Sequence, residues 1–190
     1  MTYKIQNLPI HTAESAPDKA RPILEGAKKR LGFVPNMYGA MANEPALLDA
    51  YISGYNTFRS GSGLSPVEQE VVFLIISREN ACTYCVAAHS VVADMMSKVP
   101  AAVTDAIRGG RMIEDKKLEA LARFVAVMVA TRGNPEDADV AAFTAAGYSE
   151  KNILGIILAI SVKILSNYSN HIFHTDVDAA FARRAWNAAA

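Results

Sequence analysis

Two cysteines, a histidine and a glutamate form the group of residues in this sequence best suited to chemistry. Cys82 and Cys85 are its only cysteines, His89 follows four residues after Cys85, and Glu70 precedes Cys82 by twelve. The thiolate is the nucleophilic form of cysteine, an imidazole can accept its proton, and a carboxylate can orient that imidazole. The pattern therefore predicts thiol chemistry, in which the cysteine pair alternates between dithiol and disulfide.

Two consecutive helices are predicted to carry these residues. The segment Ser65-Pro66-Val67-Glu68 is a capping box with proline at the first helical position, so a helix should begin at Ser65 and run to about Arg78. Asn80 is a suitable N-cap for a second helix, which we expect over Ala81 to about Lys98. Together, the two helices are predicted to form an antiparallel hairpin.

This predicted hairpin, residues 65–98, brings the four side chains to one patch. Glu70 and His89 lie equally far along the chain from the turn, so they face each other. Cys82 and Cys85 are about one helical turn apart, a spacing that permits a disulfide. His89 lies a further turn along the same face as Cys85.

The choice of attacking cysteine depends on two local effects. The helix N-terminus favours ionisation of Cys82 by roughly 0.3 to 1 kcal/mol. His89 favours Cys85, and a positioned base is usually the stronger influence. We therefore predict Cys85 as the nucleophile and Cys82 as the resolving cysteine. A fall of one pKa unit in the thiol corresponds to about 1.36 kcal/mol, within reach of both effects together.

The rest of the chain predicts an all-α fold. No segment shows the two-residue periodicity of a strand, and apolar residues recur at helical spacing between capping residues. With 190 residues, 51% of them hydrophobic, the chain suits a single domain over 1–190. Residues 1–17 are expected to form an arm. Further helices are predicted over 18–31, 45–59, 100–109, 115–131, 135–147, 149–173 and from Thr175.

The charge and hydropathy of the chain disfavour several classes of partner. It carries 19 basic and 19 acidic residues, so no net positive field attracts nucleic acid or an anionic membrane. The N-terminus lacks a secretory signal pattern. The longest apolar stretch, Ile153 to Val162, is about half of a membrane-spanning helix. We expect a cytoplasmic protein without a nucleic-acid or membrane partner.

Two other interpretations of the cysteine pair stay open. Cys82, Cys85, His89 and Glu70 are all possible zinc ligands, although no second Cys/His pair has the spacing of a zinc finger. Cysteines can also be inert, buried apolar residues. A c-type haem site is excluded, because Val86 and not histidine follows the second cysteine.

The pattern Glu-x11-Cys-x2-Cys-x3-His, on a hairpin preceded by Leu-Ser-Pro-x-Glu, resembles the AhpD-like branch of the carboxymuconolactone decarboxylase superfamily. The resemblance covers the chain from about Pro22 to Asp178. Its uncharacterised peroxidase-related members are similar in four further segments, which are residues 32–36, 77–82, 87–90 and 167–171.

The resemblance implies an all-helical AhpD-like bundle, a homo-oligomer (trimer or hexamer) and reduction of alkyl hydroperoxides. It assigns Glu70, Cys82, Cys85 and His89 to a proton relay in which the second cysteine attacks the peroxide. Tyr84 stands where some relatives have a histidine, and it is a candidate to hydrogen-bond the substrate. No cofactor or metal is expected.

The resemblance also implies the partners and leaves two alternatives. The substrate would be a small-molecule peroxide, and an external dithiol of lipoyl or thioredoxin type would reduce the disulfide. One alternative is a disulfide oxidoreductase that acts on a protein or lipoyl partner. The other is a zinc-binding or structural oligomer without redox turnover.

Overall fold

The computed structural model describes residues 2–188 and contains no strand in that range, which confirms the predicted all-α fold. A π-helical turn, Ala93–Ser97, extends α5, and a 3-10 segment, Ala179–Arg184, lies near the C-terminus. The helices are α1 (Arg21–Leu31), α2 (Asn36–Met41), α3 (Pro45–Gly61), α4 (Pro66–Glu79), α5 (Thr83–Val92), α6 (Ala101–Arg108), α7 (Lys116–Ala130), α8 (Asp137–Ala145) and α9 (Glu150–Phe173).

Capping boxes fix the starts of the two helices that matter most for the site. At α4, the Ser65 hydroxyl accepts from the Glu68 backbone N–H, and the Glu68 carboxylate accepts from the Ser65 N–H at 2.8 Å. At α9, Ser149 and Asn152 form the same reciprocal pair. These bonds satisfy backbone donors that a helix N-terminus otherwise leaves unpaired.

The predicted N-cap of the second hairpin helix is wrong. Cys82, not Asn80, is the N-cap of α5, and the helix begins at Thr83. Ala81 takes a left-handed conformation with φ of 52°, which reverses the chain between the helices. The Asn80 amide instead donates to Asn167 at 2.9 Å. A tertiary contact has thus replaced the expected cap.

Two other boundaries differ from the sequence prediction. α2 was not predicted, because its six residues are too few for a helical period to be recognised. The last helix, predicted from Thr175, is only the 3-10 segment Ala179–Arg184.

α4 lies at the centre of the molecule. Every residue from Glu68 to Ser77 is buried, so the helix is apolar on almost all sides. It packs against α5, α6, α7 and α9. One apolar core lies between α4 and α6–α8, and a second surrounds the cysteines.

The N-terminal arm and α1–α3 cover this second core. The Ile5 N–H donates to the Ile172 carbonyl at 2.9 Å, and the His11 N–H donates to the Gly39 carbonyl at 3.1 Å. Ala13 is buried in the same cluster as Cys82 and Cys85. The arm therefore lies on the body of its own chain over residues 2–17.

α9 is long and apolar enough to cross a membrane by length and composition, with a mean hydropathy of 1.4 over 18 residues. α9 extends beyond the apolar stretch Ile153 to Val162 in both directions, so the length of that stretch underestimates the apolar length of the helix. Core helices of soluble proteins pass the same test, and α9 buries Lys163, Asn167 and Asn170. Of that 18-residue window, 39% is buried inside the molecule.

Candidate active site

Glu70 and His89 meet across the α4–α5 hairpin. Nδ1 of His89 lies 2.9 Å from Oε2 of Glu70, and both side chains are buried. Burial and the charge of Lys163 lower the pKa of His89, and the attraction of Glu70 does not offset them. A neutral imidazole donates its Nδ1 proton to the carboxylate, which leaves Nε2 free to accept a proton.

Arg59 from α3 binds the other carboxylate oxygen of Glu70. The same guanidinium donates to the Tyr55 hydroxyl at 2.7 Å and lies 4.8 Å from the centre of the Phe73 ring. Burial raises the pKa of Glu70, but the charges and hydrogen bonds of His89 and Arg59 lower it by more, so the net shift is downward. Glu70 is therefore an ionised carboxylate with both oxygens engaged.

The two cysteines are reduced and lie side by side at the start of α5. Neither reaches the surface, since their exposed fractions are 0% for Cys82 and 2% for Cys85. The amide nitrogen of Asn170, from α9, lies 3.3 Å from Sγ of Cys85 and 3.8 Å from Sγ of Cys82. Oγ of Ser166 lies 3.9 Å from Sγ of Cys85. One amide group thus contacts both sulfurs.

The surroundings shift the pKa values of the two cysteines in opposite directions. Burial raises the pKa of Cys85, but the Cys82 thiol and the charges of Lys163 and His89 lower it well below its usual value. The contact with Cys85 and burial both raise the pKa of Cys82. These opposite directions favour ionisation of Cys85 before Cys82.

His89 acts on the thiols without touching them. Within residues 2–188 its ring makes no hydrogen bond to either sulfur, and it packs 4.9 Å from the Phe73 ring centre. Its influence on Cys85 is electrostatic in this state. A small movement or a bridging water is needed for a proton to pass between them.

Lys163 on α9 is the most unusual side chain near the site. It is fully buried, and its Nζ has no hydrogen-bond partner among the described residues. Nζ lies 5.7 Å from the centre of the Phe73 ring. Sequence reasoning missed this residue and also missed Arg59 and Asn170. The available signal for Lys163 was a lysine directly after the longest apolar stretch of the chain, Ile153 to Val162.

Tyr84 is buried with its hydroxyl directed to the C-terminal segment. The hydroxyl donates to Oδ2 of Asp178 at 2.5 Å, and the ring meets that of Phe181 edge-on at 6.0 Å. Asp178 also accepts from the Asn36 N–H at 3.2 Å. Burial and the charge of Asp178 raise the pKa of Tyr84, so it is a neutral phenol. These contacts attach the C-terminal segment to α5.

The described residues hold no group of three or more His, Cys, Asp and Glu side chains arranged to bind a metal ion. Glu70, the fourth ligand of the zinc interpretation, already binds Arg59 and His89 through its two oxygens. The donor set does not fit a zinc site in this state.

Comparison with solved structures identifies the fold. The chain is similar to a peroxidase-related protein from Ralstonia eutropha JMP134, described as an alkylhydroperoxidase AhpD core, with a TM-score of 0.80 and 22% identity over 95% of this chain and 96% of that one. A peroxidase-related protein from Silicibacter sp. TM1040 has a TM-score of 0.77 and 23% identity, with 95% and 97% coverage.

A third similar structure has a different described activity. A variant of the debrominase Bmp8 in complex with 2,3,4-tribromopyrrole has a TM-score of 0.78 and 17% identity, with 96% and 97% coverage. No family model and no curated protein matches the sequence. The structural likeness confirms the predicted AhpD-like fold, which accommodates more than one described activity.

Proposed function

We propose, on the basis of an AhpD-like fold with a buried dithiol beside an acid–base pair, that this protein is a thiol-dependent peroxidase. The observation that carries the proposal is the contact of one Asn170 amide with both sulfurs, next to the His89–Glu70 pair. Such a site can carry out a two-electron reduction and form a disulfide within the site.

The proposed reaction begins at Cys85. The Cys85 thiolate attacks one oxygen of the hydroperoxide. The O–O bond breaks, Cys85 becomes a sulfenic acid, and the departing alkoxide takes a proton from water through Nε2 of His89 and leaves as an alcohol. The Cys82 thiol then attacks the sulfenic sulfur, which forms the disulfide and releases water.

Glu70 and Arg59 act as positioning residues in this scheme. The carboxylate holds the Nδ1 proton of His89 at 2.9 Å, so Nε2 is the nitrogen that accepts and returns the proton. Arg59 holds the second oxygen of Glu70 and fixes its orientation. The carboxylate also stabilises the imidazolium that forms transiently.

An external dithiol of lipoyl or thioredoxin type completes the proposed cycle. Its thiolate attacks the Cys82–Cys85 disulfide, and its second thiol resolves the mixed disulfide. The covering arm and α1–α3 must move for such a partner to reach the buried sulfurs. We place the protein in the cytoplasm, where reductants of this kind keep thiols reduced.

We also propose that the protein is a homo-oligomer, a trimer or a hexamer. Exposed apolar side chains repeat along one side of α9 at intervals of three to seven residues, and a stripe of this kind is typical of an interface. They are Leu154, Ile157, Ile164 and Tyr168. Light scattering after size-exclusion chromatography measures the oligomer, and a monomer at micromolar concentration contradicts this part of the proposal.

Reductive dehalogenation is a second candidate, because the debrominase shares the fold. A thiolate can attack the bromine of a bromoarene, which breaks the C–Br bond and forms an S–Br bond while the ring carbon takes a proton from water. The second thiol then attacks that sulfur and displaces bromide. This reaction uses the same two electrons and ends in the same disulfide. Assays with a hydroperoxide and with a brominated pyrrole, at equal reductant, distinguish the two candidates.

The test of the peroxidase proposal uses cysteine variants under a steady supply of dithiothreitol. Cys85→Ser should abolish hydroperoxide consumption under dithiothreitol. Cys82→Ser, reduced and then freed of dithiothreitol, should consume one hydroperoxide per chain and leave a sulfenic acid at Cys85 that dimedone traps. His171→Asn, at an exposed histidine of α9, serves as the control and should keep full activity. Full turnover by Cys85→Ser contradicts the proposal.

A further inference from the structure

Lys163 is a buried lysine that forms no ion pair with the described residues. Its side chain is fully buried and forms no salt bridge or hydrogen bond with residues 2–188. An uncompensated ammonium in a protein interior carries a desolvation penalty of several kcal/mol. A negative charge close by offsets that penalty.

The titratable and charged groups around the site leave one suitable counter-charge. On α4 and α3, the charges of Glu70 and Arg59 already neutralise each other in a direct ion pair. The tyrosines of the site remain neutral, because burial raises their pKa values; they are Tyr38, Tyr51, Tyr55 and Tyr84. On α5, Cys82 is held protonated and His89 neutral. The carboxylate of Asp178, on the C-terminal segment, already accepts from the Tyr84 hydroxyl and the Asn36 N–H. The sulfur of Cys85 remains.

The packing of α9 supports this pairing. Ser166 and Asn170 lie one and two turns beyond Lys163, and both contact Cys85, at 3.9 Å and 3.3 Å from Sγ. Lys163 therefore lies on the face of α9 that packs toward the thiols. The charge of Lys163 also lowers the pKa values of Cys85 and His89.

We propose that Lys163 is the counter-ion of the Cys85 thiolate, and that this pair stabilises the dithiol form so that the Cys82–Cys85 disulfide is a strong oxidant of external dithiols. The inference rests on the proposed function only in its use of Cys85 as the ionised cysteine. No step of the peroxide reaction above uses Lys163.

The redox consequence follows from charge balance. Formation of the disulfide removes the negative charge of Cys85 and leaves Lys163 buried without compensation. Reaction of the disulfide with an external dithiol restores the Cys85 thiolate and the Cys82 thiol and releases the external disulfide and one proton. A stabilised thiolate makes a disulfide more oxidising for this reason.

The first experiment measures the ionisation of Cys85 by thiolate absorbance at 240 nm against pH. In a Cys82→Ser background, Lys163→Met should raise the midpoint by at least one pH unit, a tenfold loss of thiolate below both midpoints. Lys163→Arg keeps the charge and should restore most of the shift. Lys151→Met, at an exposed lysine of the same helix, should leave the midpoint unchanged.

The second measurement is the titration midpoint of His89, which a purely structural role of Lys163 would not change. Because the same cation lowers the pKa of His89, Lys163→Met should also raise the His89 midpoint, followed by NMR of the ring protons. Circular dichroism confirms that each variant is folded. An unchanged thiol midpoint in folded Lys163→Met overturns the proposal.

The third measurement is the redox equilibrium with glutathione, with both cysteines present. Lys163→Met should shift this equilibrium toward the disulfide at least tenfold, which is about 30 mV for a two-electron couple. The unaltered protein gives a check that needs no variant. A thiolate form predicts a tenfold change in the equilibrium with an external dithiol per pH unit near neutrality, because one proton is released; an equilibrium that does not change with pH overturns the proposal. Neither assay contains peroxide, so failure of the peroxidase proposal is detected separately.

Discussion

Replacement of Glu70 by glutamine tests the structural account of the site most directly. The substitution keeps the size of the side chain but removes the charge between Arg59 and His89. Two unit charges about 4 Å apart interact by about 4 kcal/mol at an effective dielectric constant of 20. Glutamine regains part of that energy, because it avoids the desolvation of a carboxylate.

The net loss of stability should be about 2 to 3 kcal/mol. Loss of one partner of a buried ion pair costs about 3 to 5 kcal/mol, and the value here should be smaller because 20% of the Arg59 side chain is exposed. With an m-value of about 2 kcal/mol/M, the urea midpoint should fall by about 1 to 1.5 M. Peroxide turnover should fall at least tenfold, because His89 loses the acceptor that fixes its proton.

A control and a double variant sharpen this experiment. Glu79→Gln changes the same residue type on the same helix, in a pair with Arg78 whose side chains are 34% and 30% exposed. It should cost less than about 1 kcal/mol and leave turnover unchanged. Arg59→Met combined with Glu70→Gln should be more stable than the sum of the single losses predicts. Equal midpoints for Glu70→Gln and Glu79→Gln would refute the reasoning.

Three further predictions concern neighbouring contacts. Asn170→Ala should raise the Cys85 pKa by about one unit, seen in the 240 nm titration, because a hydrogen bond to a charged group contributes about 1.5 to 3 kcal/mol; an unchanged midpoint contradicts this. Tyr84→Phe should destabilise the protein by about 1 to 3 kcal/mol in thermal unfolding, because Asp178 loses a donor at 2.5 Å, while turnover stays within twofold; a large loss of turnover would instead make Tyr84 a substrate ligand. Because the folded-state pKa values of His89 and Glu70 lie below their ordinary values of 6.5 and 4.5, stability should fall as the pH drops from 6.5 toward 4 and below, and His89→Gln should flatten the upper part of the urea-midpoint profile. An unchanged slope between pH 6.5 and 5 in that variant would count against a neutral His89.

The sequence predicted the parts of the site that a single hairpin determines. Glu70 and His89 could be placed opposite each other because both lie equally far from a turn whose first helix begins at a recognisable cap. The choice of Cys85 as the nucleophile and Cys82 as the resolving cysteine stays a prediction. The all-α fold followed from helical periodicity and caps spread along the whole chain.

The contributions from other helices could not be predicted in this way. Arg59 on α3, Lys163 and Asn170 on α9 reach the site through tertiary packing, which leaves no regular spacing relative to Cys85 in the sequence. The cap prediction at Asn80 failed for the same reason, because its amide binds Asn167 on α9. The burial of Tyr84 depends on a C-terminal segment whose position no local sequence pattern indicates.

The enclosure of the two sulfurs under the arm and α1–α3 has a consequence for the sulfenic acid of the proposed peroxidase reaction. Over-oxidation to sulfinic acid needs a second peroxide molecule, which must again wait for the covering residues to open. The Cys82 thiol is already beside Cys85 under that cover and reacts without waiting. The covering arm and α1–α3 therefore favour the reversible Cys82–Cys85 disulfide and limit irreversible inactivation at high peroxide concentration.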